Sequence, residues 1–129
     1  MWYDETKIDV LVGEVITEIR GMEVGSEVID FITASGKKFR MYHSQDCCEH
    51  VSLNDISGNV SDLIGTPILR ASEDTNRSDT FGEIEYPDSF TWTFYNFATI
   101  KGYVTLRWLG ESNGYYSEGV SFSDITNEA

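Results

Sequence analysis

The chain is short of soft metal ligands, of chain-breaking prolines and of positive charge. It holds two cysteines, two histidines and two prolines among 129 residues. Its basic side chains number 9 against 22 acidic ones, a formal net charge of −13. No apolar run is long enough to cross a bilayer. The first residues, Met1-Trp2-Tyr3-Asp4-Glu5, lack the basic and apolar regions of a secretory signal. Each shortage excludes something. Two cysteines cannot build the dense disulfide framework of a small secreted domain. A large excess of negative charge repels phosphate backbones and anionic lipid, which argues against direct binding of nucleic acid or membrane. No glycine-rich loop with its lysine and no nucleophile elbow is present, so the expectation is a protein without enzymatic activity. These absences together predict a cytoplasmic protein whose cysteines stay reduced.

Apolar residues make up 40% of the chain and aromatic residues 13%, enough for one domain, residues 1–129, around a single core. Asp4 has the spacing of an N-cap, with Tyr3 and Ile8 as a hydrophobic staple, and predicts a short helix whose buried face is Ile8, Leu11 and Val12, stopped by Gly13. The period then changes to two. Strands are expected at 14–20, 27–33 and 37–42, with Ser35-Gly36 turning the second into the third. Phe39 and Met41 should point inward, Lys38 and Arg40 outward. A further strand is expected at 51–56, and Asn59 should cap one helical turn ending at Gly65. Residues 73–89 read as a long loop. Residues 90–97, Phe-Thr-Trp-Thr-Phe-Tyr-Asn-Phe, form the strongest strand in the chain, with Phe90, Trp92 and Phe94 on one face and expected in the core. Strands at 103–109 and 115–122, joined by the Asn113-Gly114 turn, complete a second meander. The predicted class is α+β, predominantly antiparallel β: two three-stranded meanders forming a curved or packed sheet, with one or two short helices.

Both histidines and both cysteines fall in residues 43–50, His-Ser-Gln-Asp-Cys-Cys-Glu-His. Zinc takes thiolate, imidazole and carboxylate in a tetrahedron, so this clustering points to a structural zinc. His43, Cys47 and His50 share one face if the segment turns helically. In a tight loop His43 and His50 flank it, and Cys47 or Cys48 closes the set. The candidate ligands are Cys47, Cys48 and His43, with His50, Asp46 and Glu49 competing for the remaining place. Adjacent cysteines close a strained ring when they pair, so both are expected as thiols. The spacing differs from standard zinc patterns, and the plain alternative is a polar loop without metal.

Negative charge is unevenly spread. Between Arg40 and Arg70 the charged side chains are Asp46, Glu49, Asp55 and Asp62, and after Arg107 come Glu111, Glu118, Asp124 and Glu128. Such single-sign surface would attract a basic groove on another protein and speed the encounter. Glu49, Asp55, Asp62, Glu111 and Glu118 are the candidate contact residues. Plain solubility would explain the same charge.

Two stretches carry a resemblance. One is Tyr42-His43-Ser44-Gln45-Asp46-Cys47-Cys48-Glu49, followed by Asp62-Leu63-Ile64-Gly65. The other runs from Trp92-Thr93-Phe94-Tyr95 through Ala98-Thr99-Ile100-Lys101-Gly102 to Arg107-Trp108 and Ser112-Asn113-Gly114-Tyr115-Tyr116-Ser117. Together they resemble a family of small, largely uncharacterised proteins encoded in bacteriophages and prophages of Gram-positive bacteria, over most of the chain from Leu11 onward apart from 73–89. His43, Asp46, Cys47, Cys48 and Glu49 match the family pattern, and His50 is not a fixed feature of it. The resemblance implies an inhibitor of host defence acting in the host cytoplasm, an anti-CRISPR directed at a type II, RNA-guided nuclease. That nuclease holds nucleic acid in a positively charged channel, and an acidic protein bound there would block DNA loading. Two other classes stay open. A sponge for a nucleotide immune signal would need a pocket of Arg107, Trp108, Tyr115 and Tyr116, and a small metalloenzyme would need an open coordination position.

Overall fold

A computed structural model describes residues 4–45, 48–78, 89–112 and 118–127. They form nine strands: β1 (Asp4–Glu5), β2 (Ile16–Arg20), β3 (Val28–Thr33), β4 (Lys38–Tyr42), β5 (His50–Ser57), β6 (Arg70–Ser78), β7 (Ser89–Thr99), β8 (Gly102–Ser112) and β9 (Ser121–Asp124). Two antiparallel sheets result, with strand orders β1-β9-β4-β3-β2 and β5-β8-β7-β6. Their facing sides share one apolar cluster. Phe31 of β3 lies 6.0 Å from Phe97 of β7 between ring centroids, which ties one sheet to the other. Phe31 also meets Phe122 at 6.0 Å, and Phe39 stacks on Phe122 at 5.4 Å. No helix among the described residues is long and apolar enough to cross a membrane.

The first meander follows from alternation. Ile29, Phe31, Phe39 and Met41 are buried, while Lys38 is exposed and Arg40 half-buried. Val28 pairs with Tyr42 and Phe31 with Phe39. Gly36 turns the hairpin at φ +90°, a conformation that costs glycine little and other residues more.

The α+β expectation gives way to a β fold with two 3₁₀ turns, Ile8–Leu11 and Val60–Leu63. Thr6 is already bonded to Phe122 in the first sheet, and Gly13 turns the chain at φ +90°, so only one turn fits between them. Three residues per turn place Ile8 and Leu11 on one side, and both are buried. Val12, expected inward, is 48% exposed. Asp4 does not cap the turn; it pairs with Asp124 in β1. The second turn forms as expected, with the Asn59 side chain accepting from the Ser61 amide and Gly65 following at φ +94°.

The second meander is half right. β7 and β8 form a regular hairpin. The strand expected at 115–122 instead supplies β9, which pairs with β4 and β1 in the other sheet. The other side of β8 is taken by β5, from much earlier in the sequence. Local turn signals report hairpins and carry no information about such pairings. The loop expected at 73–89 begins as strand, since β6 runs to Ser78; its remainder, 79–88, lies outside the described residues, as does the Asn113-Gly114 turn.

β7 also reverses its expected face. Thr91, Thr93, Tyr95 and Phe97 are buried, while Phe90, Trp92 and Phe94 lie half-buried on the outer side of the second sheet. Phe97→Ala should therefore cost about 3–5 kcal/mol in urea unfolding. Ile100→Ala, at a side chain 82% exposed in the following turn, should stay within about 0.5 kcal/mol. Asp124 gives a pH signature. The Thr126 hydroxyl and then the Thr126 amide hold its carboxyl below the usual carboxylate value. A lowered folded value adds stability above the unfolded value near pH 4, and that stability disappears as pH falls through the folded value. Asp124→Asn should thus lower the melting temperature more at pH 7 than at pH 3.

Candidate functional site

The segment 43–49 is the crossover between sheets: it leaves β4 of the first and enters β5 of the second. His43 and Glu49 turn inward, with side chains 5% and 0% exposed. His43 Nδ1 donates to the Gly119 carbonyl at 2.6 Å. A carbonyl only accepts, so Nδ1 carries a hydrogen. His43 Nε2 and Glu49 Oε2 share one hydrogen at 2.8 Å. Imidazolium with carboxylate and imidazole with carboxylic acid have the same net charge, zero. Gln45 Nε2 donates to the Glu49 carbonyl at 2.8 Å and to Glu49 Oε1 at 3.2 Å. Burial of a carboxylate is tolerable here because its oxygens are bonded.

Glu118 is a second buried carboxylate, 6% exposed. It accepts from Thr91 Oγ1 at 2.7 Å and from the Ser112 hydroxyl. Its neighbour Gly119 takes the His43 hydrogen bond, so residues 118–119 join the two polar clusters at one end of the sandwich. The chain lies tightly on β8 there. A Cβ at Gly110 would stand 2.2 Å from the Glu118 carbonyl oxygen, which explains a glycine inside a long strand.

These placements redistribute the sequence candidates. Glu49 and Glu118, expected as surface contacts, are internal acceptors and cannot meet a partner. Glu118 faces in because Thr91 and Ser112 are available to it. Asp55 and Glu111 are exposed, and Asp62 is half-buried beside the β7–β8 turn, its backbone carbonyl taking the Thr99 hydroxyl at 2.5 Å. Among the metal candidates, His43 has both ring nitrogens engaged within the protein. His50, 68% exposed, turns away from them to Glu27 at 3.7 Å. Cys48 takes part in a disulfide, so the expected free thiol is not found there. Asp46 and Cys47 lie outside the described residues. No group of three or more His, Cys, Asp and Glu among the described residues is placed to hold a metal. A zinc held by His43 would require it to give up one of its two hydrogen bonds.

The outer face of the second sheet is the feature that sequence reasoning missed. β7 contributes Trp92 and Phe94. Across from them on β8 stand Leu109 and Arg107. The Arg107 guanidinium lies 4.9 Å over the Trp92 ring. It is fixed there by the Asn54 side-chain oxygen, 2.7 Å from Nη2 and 3.1 Å from Nε. Asp55 pairs with Arg107 in register, and Glu111 with Phe90 and His50. The face is thus apolar and aromatic at its middle and carboxylate-bearing at its margin. The signal available beforehand was Arg107 itself, as a charge on β8 marks which side must face water. Trp108 points the other way and is fully buried, so Arg107 and Trp108 do not line one nucleotide pocket. Tyr115 and Tyr116 lie outside the described residues.

Removing one member of the buried pair should be expensive. Glu49→Ala leaves the imidazole without its partner and should cost about 3–5 kcal/mol in chemical denaturation. Treating the unmodified protein with a chelator should leave its melting temperature unchanged; a large drop would show that a metal, rather than the His43–Glu49 pair, secures this end.

No curated protein and no solved structure matches the chain. Residues 9–122 match a family described as a domain of unknown function, DUF7448, and since that match spans most of its length the chain belongs to this family.

Proposed function

We propose that the protein is a non-enzymatic binding module that docks the outer face of its second sheet onto a basic protein surface. The observation that carries this reading is the reversed β7. A strand that buries Thr91 and Thr93 while leaving Trp92 and Phe94 half-buried gives up core packing for an aromatic surface. Aromatic anchors within a polar margin are the usual composition of a protein–protein contact. Asp55 and Glu111 give that margin its sign, in a chain of net charge −13. His43, Glu49 and Glu118 are engaged in internal hydrogen bonds, which supports a binding role over a catalytic one.

The partner we propose, from the resemblance to small phage proteins, is a type II RNA-guided nuclease of the host. Its nucleic-acid channel supplies the basic surface, and an acidic protein seated there would keep DNA from loading. The sequence-level charge and the exposed carboxylates support this choice.

The test is binding to the purified nuclease. Affinity should fall steeply with rising salt. Trp92→Ala should weaken it by at least about 1 kcal/mol, and Asp55→Lys with Glu111→Lys should weaken it further through a slower association rate. Glu18→Lys, at an exposed position on β2, the edge strand of the other sheet, should have little effect. Binding that is absent, or indifferent to both salt and Trp92, would sink the proposal.

A further inference from the structure

A cleft of about 650 Å³ opens at the flank of the sandwich, within the size range of small binding sites. It is lined by three runs of consecutive residues, 5–9, 71–73 and 120–122. Side chains alternate across a strand, so three successive strand residues line one cavity only when the strand presents its edge. β6 is the last strand of the second sheet. Among the described residues its backbone pairs with β7 alone. On the other wall, β1 stops early. It pairs with Asp124 and Ser123, then Thr6 bonds to Phe122, and the chain leaves into the 3₁₀ turn. Ser121 is left with β4 on one side and no described strand on the other. The floor between these edges is apolar, formed by Ile8, Ala71 and Phe122. The rim carries Glu5, Asp9 and Glu73 against Lys7.

We infer that this cleft captures an extended, Lys- or Arg-bearing polypeptide segment by strand addition to β6. Backbone N–H and C=O groups of β6 that have no partner among the described residues supply the hydrogen bonds, as in other sheet-edge recognition. One set of guest side chains meets the apolar floor. The alternate set reaches the rim, where three carboxylates face one ammonium and favour positive charge. A small polar ligand fits less well, because the cleft offers strand edges rather than a ring of convergent polar side chains. A second copy of this chain pairing edge to edge would set Glu73 and Asp74 against their own copies, and like charges in neighbouring strands repel. This site is separate from the outer face and does not depend on what binds there.

The probe is a peptide of alternating lysine and valine, nine residues long to match β6, with its glutamate–valine counterpart as control. Binding to the full chain is followed by fluorescence anisotropy, and hydrogen exchange locates it. The lysine peptide should bind, and exchange of amides in 70–78 should slow by about tenfold or more. Amides in 50–57, the opposite edge of the same sheet, should not change. Combined Glu5→Gln, Asp9→Asn and Glu73→Gln should weaken binding by about threefold or more, and Glu23→Gln should not. The inference is overturned if neither peptide binds, if both bind equally, or if protection falls on 50–57 instead of 70–78. Sedimentation as a dimer with β6 protected in the absence of peptide would likewise overturn it, in favour of edge-to-edge self-pairing.

Discussion

The arrangement of the second sheet depends on where one charge can go. Arg107 stands in the middle of β8, between Leu106 and Trp108. A guanidinium left unpaired in an apolar core would be prohibitively costly, so its side of β8 must face out. Leu106 and Trp108 then face in, and both are fully buried. The antiparallel register does the rest: Phe94 lies opposite Arg107 and follows it outward, while Tyr95 lies opposite Leu106 and goes inward. A slip of one residue would exchange every side chain between faces. The register therefore decides both what fills the core and what the sheet displays. Its consequence for function is an aromatic surface held in place by the same arginine, which lies across Trp92 and is itself anchored by Asn54.

The end of the sandwich near His43 obeys a related constraint. A chain crossing between two sheets buries backbone and polar side chains that water can no longer satisfy. Here the solution is internal. Gly119 and Glu49 satisfy the imidazole of His43, and Thr91 and Ser112 satisfy Glu118. The buried threonines of β7, which weaken its hydrophobic pattern, thereby acquire a role: one of them serves as donor to a carboxylate the fold has enclosed. His43 and Glu49, from the segment whose composition suggests a metal, are in the fold a hydrogen-bonded pair where the chain passes from one sheet to the other.

What was legible in the sequence was local. The meander β2–β3–β4 shows in its period of two, and the caps at Asn59 and Gly65 show in their residue types. The side chains facing inward at Phe39 and Met41 follow from the charges between them. What was not legible was pairing over distance. Nothing near β8 announces that β5 will lie beside it, and nothing in 115–122 says that its end belongs to the other sheet. The face of β7 was misread because hydrophobicity alone favours Phe90, Trp92 and Phe94 as core. Only the neighbouring strand's charge reverses that preference, and using it requires knowing the register. Glu49 and Glu118 were misread for the same reason: a carboxylate in sequence looks like surface until its donors are brought to it from elsewhere in the chain.

The second sheet turns Trp92 and Phe94 toward its outer side and Trp108 into the core. Hydroxyl-radical footprinting of the free chain, read residue by residue by mass spectrometry, tests it directly. Trp92 and Phe94 should oxidise readily while Trp108 stays protected as long as the protein is folded. Protection of Trp92 and Phe94 together with oxidation of Trp108 would contradict the register, and with it the docking surface.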